Sequence, residues 1–269
     1  MSLLSVSELT VRTGQSVLVR DVSFSLAPGE RLGLIGESGS GKSLTALAVM
    51  GLLGDGLRAS GSIVLDGSEV VGATDSALRG LRGPVGQLVF QEPLTALDPL
   101  MRVGRQIAEP LRRHRGLRGG ALRTAVAEAL GEVALPDARI VRAFPHELSG
   151  GQRQRVAIAI ALAAQPRLLI ADEPTTALDV TVQDGVLALL ERLVAERDMA
   201  LLFISHDLAV VARMTERIVV MRSGSVVETG AVLDILREPR HPYTQALVAS
   251  ARSLDGALDA GDPNEGAPR

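Results

Sequence analysis

Eight consecutive residues, Gly36-Glu37-Ser38-Gly39-Ser40-Gly41-Lys42-Ser43, carry the densest chemistry in this 269-residue chain. They fit G-x-x-x-x-G-K-[ST], a spacing that wraps backbone N–H groups around phosphate oxygens. Lys42 is the only lysine; the other 27 of the 28 Lys and Arg residues are arginine. An ammonium is a compact point charge that can sit between β- and γ-phosphate oxygens, whereas a planar guanidinium would crowd so close a loop. Ser43 has the hydroxyl needed to ligate Mg²⁺. A second constellation is Leu168-Leu169-Ile170-Ala171-Asp172-Glu173, an apolar run ending in two acids. At the C-terminal edge of a sheet, Asp172 could hold Mg²⁺ and Glu173 could polarise an attacking water. Alone, the acids could equally cap a helix before Pro174. Beside a phosphate loop, they point to a nucleoside triphosphate site.

The elements that must position these groups follow from periodicity. Residues 3–11 and 16–26 read as strands, with a turn at 27–30. An apolar run at 31–35 enters the Gly-rich loop, and 42–53 reads as a helix; strand, loop and helix is the order a phosphate loop requires. Residues 62–66 and 85–90 are further strands. Helices are expected at 103–114 and 121–133, within a helical subdomain at about 100–165. From Ser149 the pattern alternates: helix 149–164, strand 168–171, helix 180–197, strand 200–205. Such alternation predicts an α/β fold with a mainly parallel sheet covered on both faces. Strands at 217–221 and 225–228 and a helix at 231–237 follow. The Gly/Asp/Pro-rich composition of 253–269 predicts a disordered tail.

Composition narrows the function classes. Apolar residues make up 46% of the chain, enough for a large core, and net charge is −3, which argues against a global nucleic-acid or lipid surface. The five aromatic residues give little scope for base stacking. With no cysteine, disulfides, thiolate zinc sites and cysteine-ligated clusters are excluded. Residues 1–10 lack the pattern of a signal peptide, and the apolar runs at 44–53 and 156–164 are shorter than the ~18 residues of a spanning helix. A cytoplasmic protein is expected.

Leu148-Ser149-Gly150-Gly151-Gln152 opens a helix with Ser149 and Gln152 spaced as a capping box. This stretch also resembles the signature motif of ABC-transporter nucleotide-binding domains. The resemblance extends in order along the chain. Gln91 resembles the Q-loop glutamine, Ala177-Leu178-Asp179 the D-loop, and His206 the switch histidine that contacts the γ-phosphate. It implies a P-loop NTPase fold of ABC type: an N-terminal antiparallel β-subdomain, a RecA-like mainly parallel core and a helical subdomain. It implies ATP bound by Gly36, Glu37, Ser38, Gly39, Ser40, Gly41, Lys42, Ser43 and Leu44, with Mg²⁺ on Ser43, Gln91 and Asp172. Glu173 and His206 are the implied catalytic pair. Ser149, Gly150, Gly151 and Gln152 would face the ATP of a partner subunit, so that two nucleotides are sandwiched head to tail.

Two stretches resemble the peptide/nickel importer ATPases. One runs from Phe90 through Gln91-Glu92-Pro93 to Pro99 and on to Glu109; the other is His241-Pro242-Tyr243-Thr244-Gln245-Ala246-Leu247. The domain then spans 1–252, with the His-Pro-Tyr segment at about 231–252. The implied partners are a second, identical or different, ATPase subunit, two membrane permeases and an extracytoplasmic solute-binding protein, with no nucleic acid. The implied place is the cytoplasmic face of the membrane. The rival readings are a soluble ABC ATPase of repair or translation and an exporter subunit. One departure stands out: the family stacks adenine on an aromatic residue, and 10–14 has none. Phe24 sits in an apolar strand, and Arg12 offers only a guanidinium plane.

Overall fold

The computed structural model describes residues 2–92, 96–176 and 178–259, with side chains as far as residue 252. Of the sequence expectations, Pro93, Ala177 and the tail from 260 onward lie outside the described residues. A four-stranded antiparallel sheet has the order β2-β1-β4-β5, built from β1 (Leu4–Thr13), β2 (Ser16–Leu26), β4 (Leu57–Leu65) and β5 (Ser68–Glu69). The burial parity of β1 changes midway: Leu4 and Val6 are buried, then Leu9 and Val11. A two-residue period cannot do this unaided. The register shift after Val6, with Glu8 at φ 52°, inserts the extra residue. Opposite it, Gly61 has φ 94°, and a Cβ there would strike the Glu8 carbonyl. That glycine interrupts the strand pattern, so the sequence suggests a start at 62, whereas β4 begins at Leu57.

The main sheet has the order β10-β9-β3-β8-β7-β6. Its strands are β3 (Arg31–Ile35), β6 (Gly86–Val89), β7 (Leu168–Asp172), β8 (Ala200–Ser205), β9 (Arg217–Arg222) and β10 (Ser225–Ala231). All pairs are parallel except β9 with β10. Both faces are covered, so β7 and β8 read as unbroken apolar runs. Leu168, Ile170, Leu202 and Ile204 pack with the antiparallel sheet, while Leu169, Ala171, Leu201 and Phe203 pack with helices on the other face. At Gly33 in β3, a Cβ would collide with Val211, Ile218 and Thr215, so glycine lets the helix above approach the strand.

Helix α1 (Lys42–Val49) follows the Gly-rich loop. It stops short of the expected residue 53 because Gly51 takes φ 61°. The N–H of Leu52 bonds the Leu47 carbonyl and that of Gly51 the Ala48 carbonyl, a Schellman closure. Arg82 then donates to the Met50 and Gly51 carbonyls at 3.0 and 2.7 Å. A short α2 (Asp75–Leu78), capped by Thr74, was not expected from the pattern.

The helical segment comprises α3 (Val103–Arg115), α4 (Gly119–Glu132), α5 (Ala138–Arg142) and α6 (Gly150–Ala163). Val103, Ile107 and Leu111 recur at four-residue spacing and are buried together. Buried Gln106 accepts from the Asp98 N–H and donates to the Asp98 and Met101 carbonyls, which fastens the loop after Gln91 onto α3. Helices α7 (Val180–Glu196), α8 (Leu208–Met214), α9 (Val232–Arg237) and α10 (Pro242–Asp259) complete the chain. α8, which the pattern missed, is capped by Asp207 on the N–H groups of Ala209 and Val210. α10 carries the backbone seven residues into the stretch expected to be disordered. Among the described residues, no helix is long and apolar enough to cross a membrane.

Candidate active site

The ends of β3, β7 and β8 lie side by side, so the loops leaving them converge. After β3, the loop from Gly36 to Gly41 turns into α1. A Cβ at Gly36 would collide with the Met221 carbonyl and the Ser40 hydroxyl, so the loop can pass this point only as glycine. Gly41 is the N-cap of α1 at φ 99° and offers no side-chain acceptor. The first-turn N–H groups of α1 therefore have no capping side chain, and with the helix dipole they form a place for an anion. Within the loop, the Lys42 ammonium donates to the carbonyls of Gly36 at 2.7 Å and Glu37 at 3.0 Å. It is 4% exposed. Burial holds its pKa below the ordinary 10.5, partly offset by the charges of Glu173 and Asp172.

β7 ends on Asp172, whose Oδ1 accepts from the Ser43 hydroxyl at 3.1 Å. Burial raises the Asp172 pKa above the ordinary 3.8, and the neighbouring Glu173 adds to this; the Ser43 bond and Lys42 oppose it. Glu173 keeps one more ladder bond, from its N–H to the Ile204 carbonyl, and then turns with φ 47°. A left-handed conformation in a residue other than glycine is strained, and such strain gathers at functional sites. Here it places the carboxylate between two basic groups. Glu173 Oε1 is 3.8 Å from Lys42 Nζ, and Oε2 is 3.2 Å from His206 Nδ1. The Thr176 hydroxyl also donates to Oε2, at 3.0 Å. His206 follows β8 directly and is about half exposed.

These groups surround a cleft of about 780 Å³. Of the residues singled out in the sequence, Gly36 to Gly39, Gly41 to Leu44, Gln91, Glu173 and His206 line it. Ser40 and Asp172 do not: the Ser40 hydroxyl is buried beside Gly36, and Asp172 lies behind Ser43. Thr176, Leu18 and Leu247 line the cleft without having been expected there. Arg12 is exposed on β1 and is not part of it.

Ser43, Asp172 and Gln91 form an all-oxygen donor set, with one buried carboxylate whose charge burial disfavours. A hard cation would relieve that cost, and Mg²⁺ takes few protein ligands alongside phosphate and water. Among the described residues no cluster of three or more acidic or histidine side chains forms an all-protein metal cage. The Ser43–Asp172 oxygen pair, with Gln91 lining the same cleft as Ser43, fits Mg²⁺ shared with a phosphate ligand.

The expected signature turn is elsewhere. Ser149 caps α6: its Oγ accepts from the Gln152 N–H at 3.3 Å, and Gln152 Oε1 accepts from the Ser149 N–H at 2.9 Å. The Ser149 hydroxyl hydrogen is not consumed by this box and can still be offered to an anion. Neither residue lines the cleft. Asp179 caps α7 by accepting from the Val182 N–H at 3.0 Å, also away from the cleft.

Residues 19–176 match the family model described as ABC transporter, and residues 227–269 match the one described as oligopeptide/dipeptide transporter, C-terminal region. The chain is 49% identical over 263 residues to a peptide import ATP-binding protein of Brucella abortus, covering 96% of this chain and 79% of that one. It is 47% identical over 256 residues to one of Brucella ovis, covering 92% and 76%. Among solved structures it resembles the ATP-binding cassette MJ0796 bound to ADP and Pi, with TM-score 0.75 and 29% identity over 85% of this chain and 98% of that one. It also resembles cbiO1 from Clostridium perfringens, part of the transporter complex cbiONQ, with TM-score 0.76 and 25% identity over 96% and 99%.

Proposed function

This chain belongs to the ABC transporter family, and from that premise we propose that it is the ATP-hydrolysing subunit of an importer for di- or oligopeptides, nickel or a related solute. The observation that carries the hydrolytic reading is Glu173, held between Lys42 and His206 at the mouth of the phosphate loop. The match of residues 227–269 and the names of the relatives support the peptide class.

The geometry of the cleft and the family membership support the following roles. The loop N–H groups and the start of α1 bind the phosphates. Lys42 leaves its two carbonyls to neutralise charge on the β- and γ-phosphates. Glu173 accepts a proton from, or orients, the attacking water, and the Thr176 hydroxyl fixes its carboxylate. His206 contacts the γ-phosphate and links it to Glu173. Ser43, Asp172 and Gln91 would hold Mg²⁺, which supplies positive charge to the terminal phosphates. The Ser149–Gln152 turn covers the nucleotide of a second ATPase subunit, identical or distinct. ATP binding then closes the pair, and hydrolysis reopens it, moving two membrane permeases fed by a solute-binding protein. The domain is read as spanning 1–252, acting at the cytoplasmic face of the membrane.

The test is to purify the tagged chain from membranes and identify what accompanies it. Permease subunits and ATP-dependent uptake of labelled peptide or nickel by the reconstituted complex are expected. Ribosomes or DNA in place of permeases would contradict the import reading.

A further inference from the structure

The His-Pro-Tyr segment reaches the phosphate loop through the Tyr243 hydroxyl. Tyr243 Oη accepts a hydrogen bond from the Glu37 N–H at 2.9 Å, across 206 positions of sequence. That N–H belongs to the Gly36–Glu37 peptide, whose carbonyl at the other end accepts from Lys42 Nζ at 2.7 Å. The two groups therefore hold the same peptide plane from opposite sides.

The tyrosine itself is held firmly. Its ring is buried, 7% exposed, with the Arg222 guanidinium 5.1 Å from its centroid. Its N–H bonds His241 Nδ1 at 3.2 Å, and Glu228 of β10 accepts from the N–H groups of Arg240 and His241 at 2.9 and 3.0 Å. The start of α10 is thus fastened to β10, and the hydroxyl has a fixed address. The peptide, by contrast, begins at a glycine, which leaves its plane easy to rotate. A hydrogen bond on its N–H also polarises the carbonyl at the other end, which strengthens the acceptor that Lys42 uses.

We propose that Tyr243 is a positioning residue for the ATPase site: by fixing the Gly36–Glu37 peptide plane, it sets where the Lys42 ammonium waits for the phosphates. This rests on the reading of the cleft as an ATP site. The device acts on binding, since the loop must hold the phosphates in ground and transition state alike.

The test compares the full-length chain with Tyr243→Phe, which keeps the ring and its stack on Arg222 and removes only the oxygen. Amide exchange at Glu37, read by NMR, is expected to quicken about three- to tenfold, the range that the loss of one neutral hydrogen bond gives. In the assembled transporter KM for ATP is expected to rise by the same factor, with kcat within about twofold. A tyrosine that merely fills space would leave Glu37 exchange and KM unchanged in the variant, and that result overturns the proposal. So does a wild-type Glu37 amide that exchanges as fast as that of Ser38, a measurement that does not depend on the variant folding. If the wild-type chain does not bind ATP, the reading of the cleft falls instead.

Discussion

Lys42→Arg conserves charge and is expected to cripple the enzyme. In the structure two carbonyls from adjacent residues converge on the single ammonium nitrogen, at 2.7 and 3.0 Å, with Glu173 3.8 Å away. A guanidinium spreads its donors over a plane and cannot put one nitrogen at that point without forcing its other nitrogens into the loop. Charge-assisted hydrogen bonds contribute about 1.5–3 kcal/mol each. Losing the equivalent of one in the phosphate complex corresponds to a fall in kcat/KM of roughly tenfold to 150-fold. The assay is ATP turnover by the assembled transporter, with ATP binding measured in parallel. Stability against pH gives an independent check. Burial lowers the Lys42 pKa, so the cost of its charge is fully present below the folded pKa and fades as pH rises through it toward 10.5. Arginine has no such relief. The stability advantage of wild type over the variant should therefore widen at alkaline pH. A variant with kcat/KM within threefold of wild type would refute the argument from size.

Asp172→Asn should abolish Mg²⁺-dependent turnover yet stabilise the nucleotide-free chain at neutral pH, by a few degrees in a melting curve for ~1 kcal/mol. The folded pKa of Asp172 is raised, so its contribution to stability is fully present below the ordinary 3.8 and is lost as pH rises through the folded value. The gain from asparagine should accordingly be larger at pH 7 than at pH 4, and the reverse order would contradict the burial argument. Ser149→Ala removes the capping box and should cost ~1 kcal/mol. Ser149→Asn keeps a good cap, so it should restore the melting temperature; ATP turnover by the assembled pair should remain impaired, because the small hydroxyl proposed to face the partner's phosphates is gone. Full activity in the asparagine variant would leave Ser149 a cap only.

Much of the site was legible because its signals are local. A Gly-rich loop between an apolar strand and a helix, and two acids ending an apolar run, each carry their geometry in their own spacing. The strands at 16–26 and 200–205 were readable for the same reason, since apolar runs bounded by turn residues need no distant partner to be recognised. What was hidden depends on contacts across the chain. The early start of β4 was hidden because Gly61, opposite a bulge in β1, breaks its pattern. α8 is short and owes its start to the Asp207 cap rather than to periodicity. Thr176 shows its role only once β7 and β8 bring Glu173 and His206 together. Tyr243, the chain's one tyrosine, was noticed as part of a resembling segment, but nothing in its neighbours pointed 206 residues back to Glu37. Many arginines proved to have a structural use of their own. Arg82, Arg153 and Arg197 fasten backbone carbonyls, a task suited to a fork of donors.

We propose above all that Glu173 acts on the water that attacks ATP. Glu173→Gln keeps the size of the side chain and an oxygen for Thr176 to bond, but removes the carboxylate charge beside Lys42 and His206. In the assembled transporter, a single-turnover measurement with Mg²⁺ and ATP should show hydrolysis slowed by about 10²- to 10⁴-fold, the contribution of a positioned base. ATP should remain bound with affinity within about threefold of wild type. Hydrolysis at the wild-type rate would remove Glu173 from the chemistry.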